Sequence, residues 1–272
     1  MNKMFEQIHN VPRIPEVVRT LITQFNDPKI DFSAVAKNVE KEQIITLKIL
    51  RLVNSAHFGL SKKVGTIQDA VVMLGMNQLR TLVVASGMVA AVPKIENVNM
   101  KHFWEDSFRT ATYAKWIAAE TQNAPDLAFT AGLINGLGTI LIYMGAPAEA
   151  HEIDQLVKQG SARAEIEMLR LGFTSEEVSA ELCRRWHFSE DLIDAVAQCG
   201  APLTNQPPSF PACVVNIARY ISAAYRQQLS TEDMLKSFPF AVAEKLGLTE
   251  QFIIDKLPEI LEIESGLDGL AD

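Results

Sequence analysis

The apolar residues of this chain recur at helical spacing, and segments that alternate between polar and apolar residues are scarce. The segment VVRTLIT, for example, puts Val17, Val18, Leu21 and Ile22 on one stripe directly after Pro15. Proline is favoured in the first turn of a helix, so this stripe has a natural starting point. Ala, Leu, Ile, Glu and Lys dominate the sequence, and the pattern predicts an all-α fold.

The balance of charge changes partway along the chain. Residues 1–97 carry 12 Lys and Arg against 8 Asp and Glu, a net charge of +4, whereas residues 98–272 carry 13 against 25, a net charge of −12. This change predicts two lobes, a small N-terminal helical bundle over 1–97 and a second helical lobe with a helical C-terminal tail over 98–272.

Two local expectations follow from the same pattern. The segment QIITLKILRLV is apolar nearly all round, so we expect its helix to be the buried centre of the first lobe. The tail from Thr231 to Asp272 is expected to form two or three short acidic helices and to end in a frayed segment.

Composition limits the class of protein. With 48% hydrophobic and 21% charged residues the chain has the composition of a folded domain. Its longest apolar segment, TLVVASGMVAAV, is shorter than the about 18 residues that span a bilayer, and we expect no membrane association. Cys183, Cys199 and Cys213 form no CxxC pair, which is typical of reduced thiols and predicts a cytoplasmic location. The basic segment is only mildly charged and lacks interleaved aromatic residues, so we expect no nucleic-acid binding.

Motifs for catalysis are missing from the sequence. There is no HD, HxxH or HExxH spacing for a metal, no G-x-S-x-G elbow, and no GxGxxG or GKS/GKT loop for a phosphate. His102 and Asp106, four residues apart, could meet on one helical face but would not hold a metal alone. The five histidines are isolated: His9, His57, His102, His151 and His187. We therefore predict no metal and no cofactor, and read the glycines of GLINGLG as close contacts between helices.

Several segments in order resemble one family. VPRIPEVVRTLITQFNDPKIDFSAVAKNVE, LKILRLVNSAHFG and VGTIQDAVVMLGMNQLRTLV are followed by FWEDSFRTATYAKWIA and AFTAGLINGLG. Together, over about residues 8–225, they resemble the HDOD domain, a relative of the HD-type metal-dependent phosphohydrolases. The resemblance implies one module made of an N-terminal bundle packed on a degenerate HD-like helical domain.

The resemblance also implies which positions once held a metal. Active HD enzymes carry a His-Asp pair where this chain has Asn135 and Gly136, and a histidine on an earlier helix where it has Asp106. Relatives often have histidine at the position of Ser175. A His-His pair is common where Cys199 and Gly200 stand. Every one of these positions is altered, so the resemblance implies that the metal-dependent hydrolase activity is lost.

The function implied is a non-catalytic output or adaptor module of bacterial signal transduction. Its expected partners are signalling proteins in trans: a sensor kinase, a response regulator or a cyclic-nucleotide enzyme. The chain shows no receiver, GGDEF-like or EAL-like segment, so we expect a stand-alone module. Two alternatives stay open, a sensor that binds a small ligand such as a nucleotide in the degenerate pocket, and a residual metal-dependent phosphohydrolase.

A second group of residues belongs to the family-like segments of the first lobe and is a candidate contact surface. Each of them could equally be a helix cap or an internal hydrogen-bond partner, Asn54 above all. The group comprises Arg13, Pro15, Asn54, Ser55, Gly59 and Arg80.

Overall fold

The protein is all-α over the residues that the computed structural model describes, which are 1–8, 11–23, 32–60, 62–96, 98–204 and 206–271, with the side chains of 32 and 33 left aside. The predicted end of the first helix in NDPKID, the Ser33 cap and His9 lie outside these descriptions. No strand occurs within the described ranges, as the scarcity of alternating segments predicts.

The sequence pattern predicts five helices in the first 95 residues, and six precede residue 97 within the described ranges, because the first residues are helical as well. They are α1 Asn2–Gln7, α2 Glu16–Thr23, α3 Phe32–Lys41, α4 Gln43–Val53, α5 Ile67–Leu74 and α6 Met76–Ala91. A short 3-10 turn, Ala56–Phe58, follows α4.

The remaining helices begin at Met100. They are α7 Met100–Glu120, α8 Pro125–Ile134, α9 Leu137–Gly145, α10 Pro147–Lys158, α11 Arg163–Leu171, α12 Ser175–Arg185, α13 Glu190–Gln198, α14 Phe210–Arg226, α15 Thr231–Lys236, α16 Phe240–Lys245 and α17 Glu250–Leu261. The apolar pattern of AFTAGLINGLGTILIYMG predicts one helical segment, but the structure has two helices there, because the chain turns at Asn135 and Gly136.

Capping residues explain several of these boundaries. The sequence TSEE at 174–177 predicts a capping box, and the structure confirms it: the Thr174 hydroxyl accepts a hydrogen bond from the Glu177 N–H, and the Glu177 carboxylate accepts one from the Thr174 N–H. Thr66 caps α5 by accepting from the Asp69 N–H at 3.0 Å. The sequence also predicts that Asn77 caps the next helix, and this is wrong: α6 starts at Met76, after Gly75, whose φ of 80° ends α5 without steric strain.

The apolar core runs through both halves of the chain. One buried cluster extends from Met4 in α1 to Leu270 near the C-terminus, and it includes residues of α2, α4, α6, α7, α9 and α12. A second cluster joins α7 and α14 to α15, α16 and α17. The division into two lobes at residue 97 therefore stays a prediction from the charge pattern, since the buried residues on either side pack together.

Helix α4 is not the fully buried helix that its composition predicts. Ile45 and Ile49 are buried, but Ile44 is 65% exposed and Leu47 is 68% exposed. Two large apolar side chains therefore face solvent on a helix whose other side belongs to the core.

The predicted frayed C-terminus is also wrong for the residues up to Ala271. Leu267 and Leu270 are each 1% exposed and belong to the same cluster as the N-terminal helices. The Lys48 ammonium donates a hydrogen bond to the Leu270 carbonyl at 3.2 Å, and Gly269 lies against Leu52. Apolar contacts thus hold the tail against α4. The helix propensities of the tail residues do not reveal these contacts, because the contacts are distant in sequence.

Within the described ranges, the apolar stretch that is long and apolar enough to cross a membrane by length and composition is Pro125–Gly145, which comprises α8 and α9, and not TLVVASGMVAAV. It has 21 residues, and an 18-residue window of it has a mean hydropathy of 1.6. Because 67% of that window is buried inside the protein, the stretch has the character of a core element.

Candidate functional site

A polar cleft of about 560 Å³ lies where α7, the α8–α9 turn, α10 and the last turn of α14 meet. Three of the six predicted pocket residues line it: Asp106, Asn135 and Gly136. The other side chains of interest around it are His102, Ser107, Thr110, Thr139, Tyr143, Asp154, Arg163 and Arg226. The interpretation of these three residues as part of a degenerate metal pocket stays a prediction.

Asp106 forms two ion pairs with arginines. Its Oδ1 accepts from Nη1 of Arg109 at 2.8 Å, one turn further along α7, and its Oδ2 accepts from Nη1 of Arg226 at 2.6 Å. The extensive packing of α14 on α7 brings Arg226 to this place. Both carboxylate oxygens therefore already have a cationic partner.

The α8–α9 turn supplies Asn135 and Gly136. The Asn135 side-chain N–H donates to the Gly132 carbonyl at 2.6 Å, so the amide is used to close the end of α8. Gly136 faces Phe103, whose ring a Cβ atom would approach to 3.1 Å. Neither residue offers the cleft an anionic ligand.

Close helix contacts hold this turn in place, as the glycines of the segment predict. A Cβ on Gly138 would lie 1.8 Å from the Ser175 carbonyl oxygen, and one on Gly132 would lie 2.8 Å from the Ala111 Cα. The Gly138 N–H donates to Ser179 Oγ at 2.7 Å, and that hydroxyl donates to the Asn135 carbonyl at 2.9 Å. The contacts with α12 therefore fix the position of the α8–α9 turn.

The far end of the cleft holds a chain of polar contacts. The Tyr143 hydroxyl and the Arg163 guanidinium both donate to the Asp154 carboxylate. Burial and the hydrogen bond to Asp154 raise the pKa of Tyr143 to about 12. Burial alone would raise the pKa of Asp154, but the hydrogen bonds from Tyr143 and Arg163 outweigh it and lower that pKa. Tyr143 stays protonated and Asp154 stays ionised at neutral pH.

Ser175, Cys199 and Gly200 lie outside this cleft. Ser175 is buried, and its N–H donates to Glu167 Oε2 at 2.6 Å. Cys199 is fully buried, and Nη1 of Arg219 lies 3.1 Å from its Sγ. Gly200 lines a second cleft of about 720 Å³, in which Arg219 pairs with Glu176 at 2.9 Å.

The pKa values of this second group follow from burial and charge. Burial raises the pKa of the Cys199 thiol, since the thiolate would be desolvated, and the nearby Arg219 only partly opposes this. Burial also raises the pKa of Glu167, while the charge of Arg219 lowers the pKa of Glu176 against the effect of burial. Cys199 is a neutral thiol here.

These residues do not fit a metal ion. Within the described ranges no group of three or more His, Cys, Asp or Glu side chains converges. His102 lines the cleft, but its Nδ1 lies 3.1 Å from the Asn99 side-chain nitrogen, and Asp106 is taken by arginines. His57 pairs with Glu264 at 3.4 Å, far along the chain from the predicted ligand positions. Zinc sites and dinuclear metal sites need several such donors that converge on one point, and the side chains around this cleft do not supply them.

The family-like residues of the first segment have several different roles. The Asn54 side chain donates to the carbonyls of Leu50 and Val64 and accepts from the Val64 N–H, which fixes the connection between α4 and α5. Gly59 has a φ of 54° after the short turn that Ser55 precedes, a conformation that suits glycine.

Arg80 and Arg13 differ in exposure. Arg80 is 8% exposed at its side chain and pairs with Asp126 of α8 at 3.3 Å, so it links helices inside the protein. Arg13 is exposed and, with Pro15, lines a groove beside the start of α4.

The arginines of the two clefts were missed by sequence reasoning. Arg219 and Arg226 are seven residues apart on α14, and this spacing places both on one face of the helix. Each of them meets a carboxylate that lies far away in sequence, Glu176 and Asp106 respectively. The sequence shows the spacing of the two arginines. It does not show their carboxylate partners, because the tertiary fold brings these together.

Comparison with known proteins agrees with this architecture. The profile of the HDOD domain family matches residues 11–202. The chain therefore belongs to the HDOD domain family. A curated Treponema pallidum (strain Nichols) protein, described as uncharacterized, is 22% identical over 200 residues, which is 70% of this chain and 38% of that protein. The chain thus spans well under half the length of this relative.

Three solved structures share the fold. A Shewanella amazonensis SB2B protein, provisionally named a phosphohydrolase, has a TM-score of 0.80 and 29% identity, covering 99% of this chain and 97% of its own. A Geobacter sulfurreducens HDOD domain protein with unknown function has a TM-score of 0.79 and 21% identity over 96% of this chain and 94% of its own. A Marinobacter aquaeolei VT8 protein, provisionally named a signal transduction protein, has a TM-score of 0.80 and 17% identity over 99% of this chain and 65% of its own. The last two show the fold alone.

Proposed function

We propose that this chain is a non-catalytic output or adaptor module of signal transduction that acts in the cytoplasm through protein contacts in trans. One observation carries the proposal: the Asp106 carboxylate, at a position where active relatives carry a metal ligand, is held by Arg109 and Arg226. Two guanidinium groups repel a metal cation from this point, and each oxygen of the Asp106 carboxylate already accepts a hydrogen bond from one of them. A relative without its metal cannot lower the pKa of an attacking water.

Membership of the HDOD domain family supports the signalling part of the proposal. Its partners would be a sensor kinase, a response regulator or a cyclic-nucleotide enzyme, with no nucleic acid involved. The intact helical scaffold, with its buried core and fixed α8–α9 turn, is what a module that presents a surface requires.

The first test is a hydrolysis and metal-content assay on the full chain. The purified protein is incubated with Mn²⁺ or Fe²⁺, washed, and assayed for bound metal and for cleavage of bis(p-nitrophenyl) phosphate and cyclic dinucleotides. We expect no stoichiometric metal and no chelator-sensitive cleavage. Chelator-sensitive cleavage that Asp106→Ala abolishes and Asp233→Ala preserves would establish the residual phosphohydrolase instead. Asp233 is a suitable control because it pairs with Lys236 on the exposed surface of α15.

A second candidate function rests on the cleft itself. Its volume of about 560 Å³ suits a small molecule, and its walls carry Arg163, Arg226 and His102 beside uncharged donors and acceptors. A nucleotide sensor would use these groups to hold a phosphate.

The test of this candidate is a thermal-shift screen with a nucleotide panel. A sensor should show a rise in Tm with one member of the panel, lost in Arg226→Ala and kept in Arg170→Ala. Arg170 is the control because it does not line the cleft and pairs with the exposed Glu152. The absence of any shift would count against the sensor.

A further inference from the structure

Helix α4 exposes an apolar stripe that its own fold leaves uncovered. Ile44 and Leu47, one turn apart, are 65% and 68% exposed, whereas Ile45 and Ile49 on the other face are buried. A single exposed apolar residue is ordinary, but neighbouring large ones mark a surface for interaction. We call Ile44 and Leu47 the α4 stripe.

The surroundings of the α4 stripe give it a shape. Ile44 lines a groove of about 380 Å³ together with Arg13 and Pro15 before α2, Lys41 at the end of α3, and Ala90 near the end of α6. Small residues on the far wall leave room for a side chain from another molecule. Helix α5, which packs against α4, also has two exposed apolar side chains, Val72 at 80% and Met73 at 47%.

Helix α4 and the groove beside it carry more cations than acids. Helix α4 contains Lys48 and Arg51 and no acidic residue, and Arg51 stands one turn after Leu47 on the exposed side. In the groove, Arg13 and Lys41 outnumber the one acid present, Glu42. An apolar surface rimmed by cations complements an apolar surface rimmed by carboxylates.

We propose that the α4 stripe and its groove bind an amphipathic helix of a partner protein, with apolar residues at the spacing of one turn and Asp or Glu on its flanks. The proposal rests on the proposed function, and it names the surface through which the module makes its contact. A helix fits because a groove between two helices accepts anchors at positions i, i+3 or i+4, and i+7.

A second copy of this chain is a poorer occupant. A two-fold contact through the α4 stripe would bring Lys48 and Arg51 of one copy towards those of the other, and like charges disfavour that arrangement. A contact between this basic surface and the acidic part of another copy would be heterologous and would build rings or filaments. The charge pattern therefore favours a different protein.

The decisive experiment places a photo-crosslinking amino acid at Leu47 in the full chain in its native cell, with Leu169 as the control position. Leu169 is 77% exposed on α11 and so equally accessible. We expect position 47 to crosslink to a segment of another protein that is helical, amphipathic and acidic at its flanks. Crosslinks only to further copies of this chain would overturn the proposal. If position 169 crosslinks to a partner and position 47 does not, the proposed surface is wrong while the protein-contact function stands. If neither position crosslinks, the result contradicts the proposed surface and the protein-contact function alike.

A peptide assay isolates the chemistry of recognition. The probe is a helical peptide of about 18 residues with Leu at i, i+3 and i+7 and Glu on its flanks, compared with a scrambled peptide of the same composition. We expect the amphipathic peptide to bind at least about 10-fold more tightly, and the affinity to fall by about as much in the double variant Ile44→Ser, Leu47→Ser. The double variant Met168→Ser, Leu169→Ser is the matched control, because those side chains are also exposed. Circular dichroism confirms that each variant is folded, and equal binding of the two peptides would refute the proposed specificity.

Discussion

Nη1 of Arg226 lies 2.6 Å from Oδ2 of Asp106, although 120 residues separate them in sequence. This ion pair joins the last turn of α14 to the middle of α7 at the mouth of the polar cleft. It is an attraction between a carboxylate and a guanidinium, and it helps to hold α14 against α7.

Asp106→Ala tests how much this ion pair contributes to the free energy of unfolding. The substitution leaves Arg109 and Arg226 without their shared carboxylate, and because Asp106 is only 25% exposed at its side chain, we expect a loss of about 1 kcal/mol in the free energy of unfolding. Urea unfolding followed by circular dichroism measures it. Asp233→Ala, in an exposed pair with Lys236, should shift the midpoint less. Equal effects of the two substitutions would mean that the Asp106 pairs contribute nothing specific.

Gly138→Ala tests the close contact between α9 and α12. The new Cβ would lie 1.8 Å from the Ser175 carbonyl oxygen, which is backbone and cannot rotate away. We expect a loss of about 3 kcal/mol and a fall in Tm of roughly 10 °C, since the helices must separate. Scanning calorimetry measures the change. Gly65→Ala is the control because nothing lies within 4 Å of its Cβ position, and it should leave Tm nearly unaltered. A Tm for Gly138→Ala equal to that of wild type would show that the contact is looser than the structure indicates.

Glu167 and Asp154 should give opposite dependences of stability on pH. Burial raises the pKa of Glu167 above its ordinary 4.5 in spite of the Ser175 N–H, so its favourable contribution is present below pH 4.5 and is lost as pH rises through the folded value. For Asp154 the hydrogen bonds from Tyr143 and Arg163 outweigh burial and lower the pKa below 3.8, so its contribution is present above pH 3.8 and is lost as pH falls through the folded value.

Urea unfolding of Glu167→Gln and Asp154→Asn across the acid range tests both signs. Relative to wild type, Glu167→Gln should become more stable as pH rises above 4.5. The deficit of Asp154→Asn relative to wild type should shrink as pH falls below 3.8. Two differences that change in the same direction with pH would contradict the assignment of these environments.

Local signals carried much of the fold and a part of the site. Helical spacing and the Thr174 capping box depend on residues a few positions apart, so the sequence was sufficient for them. Asp106, Asn135 and Gly136 line one cleft, and the role of that cleft as a degenerate metal pocket stays a prediction. Ser175 and Cys199 do not line it, because α12 and α13 turn them into a buried network with Glu167 and Arg219.

The sequence-based predictions that were wrong share one physical cause. The exposure of Ile44 and Leu47 on α4 cannot be inferred from composition, because an apolar helix is equally consistent with a core position and with a docking surface. Arg80 and Arg13 show the same limit: both occur in family-like segments, yet Arg80 is internal while Arg13 is exposed. A joint charge reversal of these two arginines would therefore disturb the fold through Arg80, whatever Arg13 contributes to binding.

Leu270→Ala tests whether the C-terminal tail belongs to the core. The Leu270 side chain is 1% exposed against the N-terminal helices, so we expect truncation to cost about 3 kcal/mol in the free energy of unfolding from lost burial and the cavity left behind. Ile254→Ala on α17 is the control, because that side chain is 39% exposed and its loss should cost under about 1 kcal/mol. Urea unfolding at neutral pH measures both. A frayed tail would give no loss for Leu270→Ala, whereas a loss that matches a core leucine would show that residues beyond the region matched by the family profile hold the N-terminal helices in place.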